Sequence, residues 1–337
     1  MQQRFWPYYL NSRRLMDLTG YEIPVAAHSP LHPNSGERAE AMRIAAHVAR
    51  GLLEAGQLPS LTQKLIEGVA EGEMITASTW GLFTFTGLTA SIRAQESGKV
   101  AAPGRFTGTL PVGDTDYVVS GELSNDHVYS DTSVGLMSNK KRVLMVGRFE
   151  VTGEMIRAHP IAIGDVVQEV GILTLSWKTL ARVHIEQIDT FAAARNVKPP
   201  KAAELARLRE IPEDVVKAAF ADIIGEPFVP KDWGGETSDL QTSQVHIEGT
   251  RVPSAFIFKG PALKGPLHPG NMGKRGDQLL RAFREAADLI VIQHCDKIEN
   301  TVVTTAEAFA IDPSRPRRFC IIDGGDTWRI LKAYGKI

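Results

Sequence analysis

Cysteine is nearly absent: Cys295 and Cys320 are the only two in 337 residues. That excludes a secreted disulfide scaffold and argues against a zinc site built on cysteine. No apolar run approaches the roughly eighteen residues that span a bilayer. The amino terminus, MQQRFWPYYLNSRR, lacks the basic start and apolar core of a signal peptide. The expectation is a soluble, cytoplasmic protein with no membrane partner. Excess charge of one sign is also missing. The formal net charge is −1, so any electrostatic footprint for nucleic acid must be local. There is no GxSxG, HExxH, paired CxxC or dinucleotide fingerprint, which leaves serine hydrolase, zinc protease and Rossmann dehydrogenase readings without support. IIDGGDT lacks the lysine and spacing of a phosphate loop, and Asp326 in it reads as a helix N-cap.

What is present is ordinary globular composition, 43% hydrophobic and 23% charged, in a chain long enough for two or three units. NSGERAEAMRIAAHVARGLLEAG reads as a helix from about 35 to 56, and SLTQKLIEGVAEG as a second after Pro59. Threonines and aromatics favour strands from 74 to 95, and the glycine- and proline-rich 97–114 reads as loop. DYVVSGEL, RVLMVGRFEV and MIRAHPIAIGD suggest a small antiparallel β unit. Residues 173–195 return to helical patterning, and NVKPPKAAE reads as a linker or corner. The expected units are therefore a mainly helical 1–104, a β unit with a helix at 105–200, and an α/β domain at 201–337.

In that last part Pro212 opens a helix that closes at Gly225. LQTSQVHIEG and VPSAFIFKG follow as a hairpin pair turning at Gly249. Then come a helix (GDQLLRAFREAAD), a buried strand (LIVIQHC), a helix, a strand (RRFCIID) and a closing helix. Buried strands alternating with helices imply an α/β layer with a partly parallel sheet.

One segment of it, DWGGETSDLQTSQVHIEGTRVPSAFIFKG, sets two acids and a lysine on neighbouring strands. Asp239 starts the first strand, Glu236 lies three residues earlier, and Lys259 ends the second. Lysine is costly to bury unpaired, so its place at the end of so apolar a strand asks for a reason. Two carboxylates can hold a divalent cation such as Mg²⁺, and a lysine nearby can orient a nucleophile or stabilise an oxyanion. That is a minimal kit for phosphodiester hydrolysis. The following segment, with Lys264, Lys274 and Arg275 in a glycine-rich loop and Arg281 on the next helix, is basic and suits a phosphate backbone. A solvated loop is the plain alternative.

On these residues the last 125 or so positions resemble the PD-(D/E)XK restriction-endonuclease-like superfamily, within it the Mrr-type nucleases. The resemblance implies a core of helix, three strands, helix and strand, a mixed sheet flanked by helices. It implies Asp239 as first carboxylate, Lys259 as lysine and Gln278 in GDQLL as supporting glutamine. It further implies Mg²⁺ (or Mn²⁺), DNA as substrate, a dimer, and a role in defence against phage or foreign DNA regulated by the N-terminal part. Two positions before the lysine the family carries a second acid or glutamine. Here that residue is Ile257, so either Glu236 replaces it or the domain is an inactive nucleic-acid-binding or regulatory relative. Among the remaining polar residues, Asp232 and Glu248 read as turn residues. Gln293, His294 and Asp296 lie at a strand end, with the histidine read as structural. His159 and Asp165 do not by themselves make a metal centre.

Overall fold

The computed structural model describes residues 3–28, 35–170, 173–176, 180–229, 237–263, 265–273 and 276–337. The chain divides into two compact units: residues 1–111, 115–177 and 313–315, and residues 112–114, 178–312 and 316–337.

Unit 1 is built on one sheet, which has seven strands among the described residues. They are β1 (Gln3–Leu10), β2 (Met74–Thr86), β3 (Gly104–Val112), β4 (Thr115–Leu123), β5 (Asn139–Thr152), β6 (Met155–Val170) and β7 (Leu173–Ser176). Their order is β1-β6-β4-β3-β2-β5, and β5 also pairs with β6. The five strands β2 to β6 thus close on themselves as a barrel, which removes sheet edges. β4 and β6 run parallel, from Val118↔Met155 to Gly121↔Ala158, whereas β2–β5 and β5–β6 are antiparallel. Phe83, Phe85 and Phe106 fill the interior, Phe83 meeting Phe106 edge-on with centroids 5.7 Å apart. β1 and β7 pair with the later part of β6.

Helices connect these strands: α1 (Ser12–Thr19), α2 (Ser35–Glu54) and α3 (Leu61–Glu67) before β2, α4 (Leu88–Glu96) before β3, and α5 (Asp131–Leu136) before β5. Both helices expected before residue 70 are present. Residues 1–104 also supply β1 and β2, so the barrel does not begin near 105. The expected strand stretch to 95 ends at Thr86, where Gly87 (φ +78°) turns the chain into α4. The expected loop at 97–114 contains β3. Its pairing with β2, Phe106 opposite Phe85, overrides the weak strand propensity of its glycines and proline.

Unit 2 holds a sheet in the order β8-β14-β13-β12-β9. The strands are β8 (Arg182–Val183), β9 (Leu240–Thr242), β12 (Ser254–Lys259), β13 (Leu289–His294) and β14 (Arg318–Ile322). β12, β13, β14 and β8 are successively parallel, and β9 is antiparallel to β12. Every residue of β13 is buried, as expected of a parallel strand covered on both faces. The helices are α6 (Ala202–Leu208), α7 (Glu213–Ile224), α8 (Asp277–Arg284), α9 (Asn300–Ala310) and α10 (Gly324–Ala333). Phe220 of α7 packs on Phe256 and Phe258 of β12, in a core that also takes Leu289, Val291, Ile322 and Trp328.

The mixed α/β character is as read from the sequence, with differences in detail. Among the described residues of 173–195, β7, β8 and 3₁₀ turns at 185–187 and 189–196 accompany a helical Leu180–Ala181, where one helical stretch was expected. The expected hairpin separates into two pairings. β9 pairs with β12, while the turn at Glu248 (φ +51°) and Gly249 (φ +72°) closes a small hairpin of its own, β10 (His246–Ile247) with β11 (Thr250–Arg251). Two successive positive φ values make this a type I′ turn. Asp326 is not the cap of α10. Asp323 is, accepting from the Asp326 N–H at 3.1 Å.

Candidate functional site at the carboxyl end of β12

In an open parallel sheet the carboxyl ends of the strands are where loops leave room for ligands. At that end of β12, Asp239 enters β9 beside Phe256 and Phe258. Its N–H donates to Phe256 O at 2.8 Å, and its Oδ2 accepts from the Phe258 N–H at 2.6 Å. Burial pushes the Asp239 carboxyl up to about 6. The Phe258 amide and the Lys259 ammonium pull it down, the Glu213 carboxylate pushes it up and Lys217 pulls it down.

Lys259, Glu213 and Lys217 are thus the charged groups that act on Asp239. Lys259 is half-buried at the end of β12. Glu213 comes from the first turn of α7, where its Oε2 accepts from the Gly260 N–H at 2.5 Å. Lys217, one turn further along α7, is buried at 4% exposure. The approach of α7 to the strand end requires glycine at 260, because a Cβ there would lie 2.5 Å from Glu213 Cβ. The start of a helix, the start of a strand and the end of another thus bring two carboxylates and two ammonium groups together. Each carboxylate engages one backbone amide through one oxygen.

The sequence-derived residues divide. Asp239 and Lys259 are brought together. Glu236 lies outside the described residues, as do Asp232, Lys264, Lys274 and Arg275. Ile257 is fully buried in the middle of β12, so an acid at that position would sit in the core. Gln278 is buried in the first turn of α8, and its amide makes no hydrogen bond to Asp239 or Lys259 among the described residues. Arg281 has its Nε 3.7 Å from an Asp277 carboxylate oxygen one turn earlier on α8.

His294 is structural: its ring nitrogens lie 2.9 Å from the carbonyls of Lys259 and Gly265 and tie the loop after β12 to the end of β13. Asp296 pairs with Arg209 at 2.8 Å, and Gln293 donates to Thr327 Oγ1 at 3.0 Å. Cys295 is buried with its thiol pushed up to about 11, mainly by that burial, which keeps it protonated and a poor nucleophile.

Glu213 and Lys217 were not singled out in the sequence, where the acids of PEDVVK read as first-turn residues complementing the helix dipole. The available signal was the Glu–Lys spacing of four, which places both on one helix face.

Among the described residues no three His, Cys, Asp or Glu side chains form a metal-binding group. A pair of carboxylates suits Mg²⁺, which keeps several waters and is commonly held by one or two carboxylates with substrate phosphate. Asp239 and Glu213, on the amides of Phe258 and Gly260, supply carboxylate oxygens of the kind that ion takes. No helix among the described residues is long and apolar enough to cross a membrane. No protein-family model, curated protein or solved structure matches the chain.

Proposed function

We propose that unit 2 is a Mg²⁺-dependent nuclease that hydrolyses phosphodiester bonds of DNA, in the manner of the restriction-endonuclease-like enzymes its sequence resembles. The observation that carries this reading is the convergence of Asp239 and Glu213 with Lys259 and Lys217 at the carboxyl end of β12. Glu213 takes the part that Ile257 cannot. Asp239 and Glu213 would hold the cation, which when bound offsets phosphate charge and acidifies a water. Lys259 would face the phosphate as a point charge or orient the nucleophile. Buried Lys217 would offset part of the Asp239 charge. Mn²⁺ is the expected substitute ion. Dimerisation, a defence role and control by unit 1 belong to the same reading.

The test is cleavage of supercoiled plasmid and linear duplex with Mg²⁺ and then Mn²⁺. Wild type should cut with either ion, and Asp239→Ala and Lys259→Ala should each lose about 100-fold or more. A second reading, a nucleic-acid-binding or regulatory domain without catalysis, is favoured by one observation, the apolar burial of Ile257. It predicts salt-dependent DNA binding with no cutting under either ion.

A further inference from the structure

Unit 1 carries a cleft of about 820 Å³, within the size range of sites for small ligands. It lies where β3, β4 and the start of β6 meet the end of β1, α1 and the turn after β4. Three arginines from three elements open on it: Arg14 of α1, Arg105 of β3 and Arg157 of β6. One carboxylate, Glu122, is among the lining residues. It stands 3.8 Å from Arg105, with both side chains largely in solvent, so the pair neutralises little. Neither Arg14 nor Arg157 forms a salt bridge with a carboxylate among the described residues. The lining therefore carries three guanidinium groups against one carboxylate, with Glu150 opposite Arg157 across β5 and β6 but in no salt bridge with it.

His127 and His159 line the same cleft. The His127 ring packs edge-on against Tyr9 at 5.6 Å, and its Nδ1 is buried without a hydrogen-bond partner. Buried polar atoms are rarely left that way in the absence of a ligand or water to meet them. Both imidazoles are held below the usual histidine range, first by burial. Around His127, Arg14, Arg13 and His28 depress it further against Asp126. Around His159, Arg14, Arg157 and Arg148 do so against Glu150. Arg14 thus acts on both rings, which places one positive field across the cleft. Ser120 and Ser124 add hydroxyls along its wall.

We propose that this cleft binds a nucleotide through its phosphate, with Arg14 and Arg157 gripping the phosphate oxygens and His127 meeting a polar ligand atom. Arginine is the side chain suited to this, since its planar fork donates two parallel bonds to a phosphate. The volume suits a whole nucleotide better than a bare ion. The shared chemistry is a nucleotide phosphate, carried either by a free nucleotide or by a single strand. The site is separate from the Asp239 cluster and does not rest on the nuclease reading.

The test is calorimetric titration of the full chain with adenosine 5′-monophosphate, adenosine and a ten-residue oligo(dT), with the histidine ring signals followed by NMR. The monophosphate should bind saturably and adenosine should not. The His127 and His159 signals, assigned through His127→Gln and His159→Gln, should move toward their charged positions, because an anion beside an imidazole favours its protonated form. Arg14→Gln combined with Arg157→Gln should weaken binding about tenfold or more, the loss expected for charge-assisted contacts. Arg14→Lys should retain part of it. An oligo(dT) affinity well above that of the monophosphate assigns a strand as the source, and the reverse assigns a free nucleotide. Asp239→Ala should bind as wild type does, so failure of the nuclease reading and failure of this one are distinguishable. Equal absence of binding for monophosphate and adenosine, unmoved histidine signals, or full affinity in the double variant would overturn the proposal.

Discussion

Burial holds the Asp239 carboxyl at about 6, against an ordinary value of 3.8. The folded state therefore keeps this proton to higher pH than the unfolded chain does. Between about pH 4 and 6 the folded state binds more protons, so the Asp239 contribution to stability falls as pH rises. Above pH 6 the full cost of the ionised group is present, about 3 kcal/mol. Asp239→Asn keeps an oxygen to accept from the Phe258 N–H and removes the charge. It should unfold at higher urea than wild type at pH 8, by about 1–3 kcal/mol, with the difference closing near pH 4. Mg²⁺ should raise the wild-type midpoint and leave the variant unmoved. Equal stabilities at both pH values would remove the energetic signature of the site. At this scale Asp239 and Lys259 were legible because a buried strand ending on lysine is locally anomalous. Glu213 was not, because a first-turn glutamate is ordinary in any helix and only the packing of α7 on Gly260 gives it a role.

Elements were legible where pattern and capping agree, and least so where pairing decides. α7, with Pro212 before it and Gly225 (φ +78°) after it, lies where the sequence sets it. β13 reads as one apolar run and is one buried strand. β3 was missed because its identity comes from its partner rather than its composition, and β9 contributes three residues to the sheet, too few for a periodicity. Two substitutions test element-level packing. Gly260→Ala would drive a methyl into Glu213, so it should cost about 1–3 kcal/mol in unfolding experiments and push the start of α7 off the strand end. Any nuclease activity should fall with it. Gly249→Ala meets no atom within 4 Å but must adopt φ +72°. It should cost about 1–2 kcal/mol and leave activity near wild type, because the β10–β11 hairpin stands apart from the pairing that positions Asp239. If both variants lost activity alike, the distinction between approach and turn would fail.

At the scale of the molecule, a closed barrel and a largely parallel sheet divide the chain, and their separation was only partly visible. The alternation of buried strands and helices after residue 212 announced the second unit. The first was hidden because closure joins β2 to β5 and β4 to β6 across long stretches of chain, which no local pattern records. With a net charge of −1, any contact with DNA must come from local groups, so the proposed binding should weaken steeply with salt while depending little on the rest of the surface. The most direct test of the account is single-turnover cleavage of duplex DNA with Mg²⁺ by wild type and by Glu213→Gln, the residue that the fold, not the sequence, brings to the site. The account predicts metal-dependent cutting by wild type and a loss of about 100-fold or more in the variant, with folding intact. Cutting at an equal rate by both, or none by wild type with either Mg²⁺ or Mn²⁺, would contradict it.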